Sequence, residues 1–230
     1  MTRADPADLP QRAHIDLPAW LPTRQQAGQP ATSGRLRTQR EETARRLVEA
    51  GRTAFADLGY AAARVDDVVA IAGTSHGTFY LYFRNKEDLL HRLAVECGED
   101  LDDLTTEMDD LADDDPIAVE AWVGRFVTAY RRHSSVIRVW LERRELDPLM
   151  QALANDKLGS LAAALTRRLD ESVAEAVGPS VAALGLMSML ERMSAYLLSA
   201  DGGMSEAEVV RSVAAMLSAT FAGVTEPRPA

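Results

Sequence analysis

The sequence predicts an all-α protein: a three-helix N-terminal helix-turn-helix domain, then a C-terminal body of six helices, counting the helix that connects the two. Three observations carry this. Ala and Leu are abundant while aromatic residues make up only 6% of the 230 positions, which favours helices over a sandwich or barrel. Apolar residues recur at three- and four-residue spacing from about residue 38 onward, and no segment alternates convincingly as a strand would. Capping residues and Gly or Pro breaks divide these segments into helix-sized lengths. The expected divisions are a disordered extension over 1–34, the helix-turn-helix domain over 35–85, the body over 86–223, and a tail over 224–230.

The extension holds five of the ten prolines, with Gly, Gln, Ser and Thr between them and no sustained period, a composition that reads as disorder. Trp20, with Leu17 and Leu21, is a small apolar island within it. Arg35, Arg37 and Arg40 follow, a basic arm of the kind that reaches a groove or backbone of DNA. The first helix is expected from Thr38, boxed by Glu41, to Leu58, with Gly59 as its stop. Ala44, Leu47, Val48, Gly51, Phe55 and Leu58 form its stripe.

Residues 64–90 organise the rest. Val65, Val68, Val69 and Ala72 give one apolar face, and Asp66 and Asp67 lie in the first turn, where negative charge suits a helix N-terminus. Gly73 is competent to end that helix at positive φ. Thr74 and Ser75 are competent N-caps for the next, in which Phe79 and Phe83 face inward. Asn85 caps a third helix. Two short helices at a Gly-containing turn make a helix-turn-helix, whose second helix enters a DNA major groove. The segment resembles the DNA-binding domain of TetR-family transcriptional repressors. Gly59-Tyr60, Val65, Val68, Gly73, Ser75, Gly77-Thr78-Phe79-Tyr80, Phe83, Lys86-Glu87 and Leu89 fall where that family's pattern puts such residues. Three positions depart: Arg64 replaces the usual Ser or Thr, Val69 a small Ala, and Thr74 an apolar residue. The first removes a side-chain cap worth about 1 kcal/mol and offers a cation for a phosphate. The expected DNA-facing set is Arg37, Arg64, Thr74, Ser75, His76, Gly77, Thr78, Tyr80, Tyr82 and Lys86, and the resemblance implies that Lys86 meets the DNA backbone.

An amphipathic helix follows from Lys86 to about Ala112, a strut of roughly 40 Å at 1.5 Å per residue. Cys97 lies on its apolar stripe. As the one cysteine, it excludes an intramolecular disulfide and suits a reducing cytoplasm. Asp115 caps the next helix, with Pro116 at its first position. Asp113, Asp114 and Asp115 lack the alternate spacing of a calcium loop. Five body helices are expected: Pro116 to about His133, Ser135 to about Leu146, Asp147-Pro148 to Gly178, Ser180 to the Gly202-Gly203 turn, and a last one opened by Ser205 and Glu208 that ends near Gly223.

Trp122, Phe126 and Tyr130 recur at four-residue spacing, with Trp140 further along. Such a stripe is ordinarily core; its functional alternative is an apolar ligand cavity. The resemblance implies an effector pocket walled by these helices, with Tyr130, Arg131 and His133 as polar contacts and Met150, Met187 and Met193 as pliable lining beside Trp122, Phe126 and Trp140. The last two helices are apolar on more than one face through Leu184, Met187, Leu190, Val213, Met216 and Leu217. A helix apolar beyond one stripe needs a second surface, so a homodimer on a palindromic operator is expected.

The formal net charge of −10 divides unevenly. Residues 31–97 carry ten basic and nine acidic side chains, whereas 98–230 carry twelve and twenty-three. Acidity is thereby kept from the DNA-binding part, where local Lys and Arg matter more than the total. The chain lacks G-x-S-x-G, H-E-x-x-H and P-loop motifs, its four histidines show no zinc spacing, and nothing points to a metal or cofactor. No apolar signal region opens it, and no uncharged apolar run approaches the roughly 18 residues of a membrane span. A cytoplasmic DNA-binding repressor, released from double-stranded DNA by a small, largely apolar effector, is the expectation. The alternative is an activator or architectural DNA binder without an effector.

Overall fold

A computed structural model of the chain describes residues 34–112, 115–142, 147–198 and 203–222. The proposed disorder of the extension and the Trp20 island lie outside these residues. Among the described residues there are nine helices and no strand. Three make the N-terminal unit: α1 (Gly34–Leu58), α2 (Val65–Ala72) and α3 (His76–Tyr80). The connecting helix α4 (Lys86–Asp110) leads to α5 (Pro116–Glu142), α6 (Pro148–Arg167), α7 (Glu171–Val177), α8 (Pro179–Leu198) and α9 (Glu206–Ala222).

Local chemistry accounts for most of the boundaries. Gly73 ends α2 at φ 60 and Gly59 follows α1 at φ 78, a backbone region that costs glycine little. The side chains of Ser75, Asn85, Asp115, Asp147 and Ser205 each accept from an amide in the first turn beyond them, satisfying donors that a helix start leaves orphaned. Three expectations need correction. The first helix begins at Gly34, so Thr38 lies inside it. The break expected near Ser135 does not occur: Ser134 and Ser135 are buried within a continuous α5, since serine costs a helix little and no Gly or Pro intervenes. The helix expected to run from 148 to 177 is instead divided, because Asp170 accepts from the Ser172 amide and starts α7.

The N-terminal unit packs on Leu47, Phe55, Val68, Phe79 and Phe83, all buried, each worth about 1.5–3 kcal/mol. Gly51 brings α1 against α4: a Cβ there would stand 2.5 Å from Leu89 Cδ2. In the body α4 packs on α5 and α6, while α5 also touches α1, α8 and α9. Helix α8 is long and apolar enough, by length and composition, to cross a membrane; Leu186, Leu190 and Ser194 bury against the bundle instead.

The six residues assigned to a dimer face separate into two groups. Leu190, Val213 and Leu217 are buried inside their own chain, so their apolarity is already used by the core and they are not free to form an interface. Leu184 and Met216 are 66% and 52% exposed, with Met187 half-buried.

Candidate DNA interface and interdomain junction

Helix α3 is held at a fixed angle to α2 from both ends of the turn. The Ser75 hydroxyl accepts from the Thr78 amide at 3.2 Å and lies 3.0 Å from the Thr78 hydroxyl. His76 Nε2 meets Asp66 Oδ1 of α2 at 2.5 Å. At the start of α2, Arg64 supplies no side-chain cap; its amide donates to Asp67 Oδ2 at 2.8 Å, which leaves the guanidinium outside. Phe79 is buried beneath, so Arg64, Ser75, His76, Gly77 and Tyr80 are exposed while Thr74, Thr78 and Tyr82 are half-buried. His76, Thr78 and Tyr80 lie on α3 itself, with Thr74 and Ser75 in the turn before it and Arg64 at the start of α2, the arrangement a helix-turn-helix needs to present side chains to base edges. Arg37 lies within α1, with its side chain outside the described set.

Lys86 is used differently from the expectation. Its ammonium donates to the carbonyls of Tyr60, Ala61 and Ala63 at 2.8, 3.2 and 3.0 Å, and stands 4.6 Å over the Tyr60 ring. An ammonium has three protons, and all three are committed to the α1–α2 connection. This lysine is a tie, not a free phosphate clamp.

Behind the interface, Arg52 of α1 is 7% exposed and joins three helices. Its guanidinium donates to Glu96 Oε2 of α4 at 2.6 Å and to the Arg132 carbonyl of α5 at 3.2 Å, and meets His133 Nδ1 at 3.1 Å. His133 Nε2 in turn meets Asp100 Oδ2 of α4 at 2.7 Å. A guanidinium can only donate, so Nδ1 accepts, Nε2 carries the proton, and the ring is neutral. Burial is the largest influence lowering the His133 pKa; Arg52 and Arg132 add to it, and the Asp100 carboxylate opposes them.

Several of the residues expected to wall an effector pocket line a closed seam between α4 and α5. Phe126, Ala129, Tyr130, His133 and Ile137 of α5 face Cys97, Leu101 and Leu104 of α4 around a void of about 10 Å³, too small for a ligand. Trp122, Phe126 and Tyr130 stack in series at 5.7 and 6.5 Å. The Trp122 indole donates to the Leu104 carbonyl at 2.9 Å, and the Tyr130 hydroxyl to Glu191 at 2.9 Å. Burial is the main cause that pushes the Cys97 thiol far above its usual range, which makes it an inert packing residue. Trp140 and Met150 are not on this seam; they pack on each other, indole to sulfur at 3.0 Å. Met193 is half-buried on α8.

Residues 47–93 match the family described as bacterial regulatory proteins, tetR family. That segment carries the TetR-family DNA-binding signature. No curated protein sequence matches it. Among solved structures, a TetR-family regulatory protein from Rhodococcus RHA1 superposes with TM-score 0.61 at 24% identity, over 78% of this chain and 96% of that one. The fatty acid degradation regulator FadR from Bacillus halodurans gives TM-score 0.58 at 21% identity, over 81% and 97%. FadR from Bacillus subtilis, in complex with stearoyl-CoA, gives 0.56 at 19%, over 76% and 97%. The body therefore shares the TetR fold as well as the N-terminal domain.

Within this TetR framework the sequence reading missed three residues. Arg46 of α1 donates to the carbonyls of Ala72 and Gly73, placing a cation on the C-terminal end of α2. Leu81 is 82% exposed beside Tyr80, readable in principle because it falls out of phase with Phe79 and Phe83. Arg52 carries no local signal, since a lone arginine on α1 does not tell which carboxylates of α4 it will meet.

Proposed function

We propose that the protein is a homodimeric transcriptional repressor that reads a palindromic operator and is released by a small, largely apolar effector entering between α4 and α5. The observation that carries this is the continuity from interface to seam. Helix α4 begins at Asn85 and Lys86, beside the α2–α3 unit, and its middle forms one wall of the aromatic seam. His133, on the other wall, meets Arg52 of α1. A ligand that parts the seam therefore moves the base of the DNA-binding domain. Two recognition helices must lie about 34–36 Å apart to occupy successive major grooves, and a shift of a few ångströms misplaces one of them.

Arg64, Thr74, Ser75, His76, Gly77, Thr78, Tyr80 and Tyr82 form the proposed DNA face, with Leu81 added as an apolar contact suited to a thymine methyl. Exposed Leu184 and Met216, with Met187, form the proposed dimer face. That a neighbour of the same fold binds stearoyl-CoA supports a long apolar effector, and similarity to regulators supports a role without catalysis. The test is to select bound duplexes from random DNA, then titrate stearoyl-CoA with and without the selected operator. A differential affinity of about 100-fold, worth about 2.7 kcal/mol, is enough for release, and linkage requires operator to weaken the ligand by that same factor. Equal affinities reject that compound as the inducer. Failure of every acyl thioester and apolar compound to shift operator binding favours a regulator without an effector.

A further inference from the structure

We propose that the groove between α1 and α4 is a second ligand site, separate from the seam, that takes an amphipathic organic anion. The groove holds about 710 Å³, within the range of small-molecule pockets, where the seam holds about 10 Å³. Ala44 and Val48 of α1 and Phe83 give it an apolar floor. From Ala44 to Arg52 the groove runs about 12 Å along the helix, its apolar floor covering about the first 6 Å, enough for a fused-ring body beside a charged head.

Its inner end is cationic. Three guanidiniums converge on the single carboxylate of Glu96: Arg52 at 2.6 Å, Arg92 at 3.0 Å and Arg132 at 3.8 Å. The lining holds six arginines and four carboxylates; Glu42 and Asp100, just outside it, pair with Arg45 and Arg132, so what the groove offers an anion is guanidinium donors and not a large net charge. Arg132 is the loosest of the three on Glu96, also meets Asp100 Oδ2 at 3.4 Å, and its side chain is 52% exposed; it can turn toward an incoming head while Arg52 and Arg92 stay on Glu96 and His133 stays on Asp100. A planar guanidinium fork suits a carboxylate or sulfonate. A cation is repelled there, and a neutral ligand gains only the floor. An anionic head that draws Arg132 from Glu96 also loosens the cluster through which α1 meets α4 and α5.

The site stands independently of the effector reading, and its test contains no operator. The probe is 1-anilinonaphthalene-8-sulfonate, followed by fluorescence on the full chain, with neutral N-phenyl-1-naphthylamine as the uncharged comparison. The anion is expected to bind about tenfold more tightly than the neutral amine, the worth of one charge-assisted hydrogen bond. Arg132→Ala should remove that advantage and leave the amine unchanged. Ala44→Trp, which fills the floor, should abolish the bound anion, whereas Ala129→Trp in the seam should not. Equal binding of the two probes, an anion retained by Ala44→Trp, or one lost in Ala129→Trp overturns the proposal. The exposed Arg132→Ala change decides the charge requirement even if Ala44→Trp fails to fold.

Discussion

At the scale of single residues, Lys86 shows how a side chain can satisfy a motif and do another task. In the sequence it is a cation in the first turn of a helix, unfavourable against the macrodipole unless an anion joins it. In the fold its ammonium finds three carbonyls of the α1–α2 connection and the face of Tyr60, so local electrostatics are satisfied without DNA. We predict that Lys86→Ala lowers stability by about 2 kcal/mol, the worth of hydrogen bonds to a charged group. That corresponds to a fall in Tm of about 4–8 °C for a chain of this size. The salt dependence of DNA binding should stay unchanged. A thermal melt and a salt titration separate the readings, since a slope reduced by about one would return Lys86 to a phosphate.

At the scale of elements, the sequence was most legible where one residue fixes a boundary. Asp115, Asp147 and Ser205 were readable as caps because each needs only its own first turn, and Gly73 because a positive φ is a local demand. The legible part of the proposed DNA face was equally local: His76 and Tyr80 are exposed on one short helix that buries Phe79, with Ser75 as its cap. What could not be read depends on which helix covers which. Four-residue aromatic spacing on α5 specifies a face, but only the approach of α4 closes that face into a seam. The same limit mixed core and surface on α8 and α9, where Leu190, Val213 and Leu217 share a pattern with Leu184 and Met216 yet lie on the opposite side. The distinction has a measurable consequence. Leu184→Glu with Met216→Glu should turn a dimer into a folded monomer in sedimentation, with helix content intact. Leu190→Glu should unfold the chain by burying an unpaired charge. A double variant that still dimerises would place the interface elsewhere.

At the scale of the whole molecule, the domains are joined by a histidine that must stay neutral. His133 meets Arg52 from α1 and Asp100 from α4, and the charge of Arg132 on its own helix acts on it too. Burial first, with the two arginines, lowers its pKa against the pull of Asp100. The unfolded chain, whose histidine titrates near 6.5, then binds more protons than the folded one as the solution is acidified. Stability is therefore full above about pH 6.5 and declines below it. Thermal melts between pH 7.5 and 5.5 should show this decline, and His133→Gln, which can still accept and donate, should flatten it. Equal slopes in the two proteins would locate the acid sensitivity in another group. The unbroken α5 carries a consequence of a different kind, for how the length of this chain can vary. Each residue of an α-helix turns the next by about 100°. One residue inserted near Ser134 would swing either Trp122 and Phe126 or Ile137 and Trp140 away from their partners, undoing contacts to α4, α6 and α1 together. Divergence along α5 should therefore proceed by exchange of side chains at constant length, with insertions and deletions confined to the connections between helices.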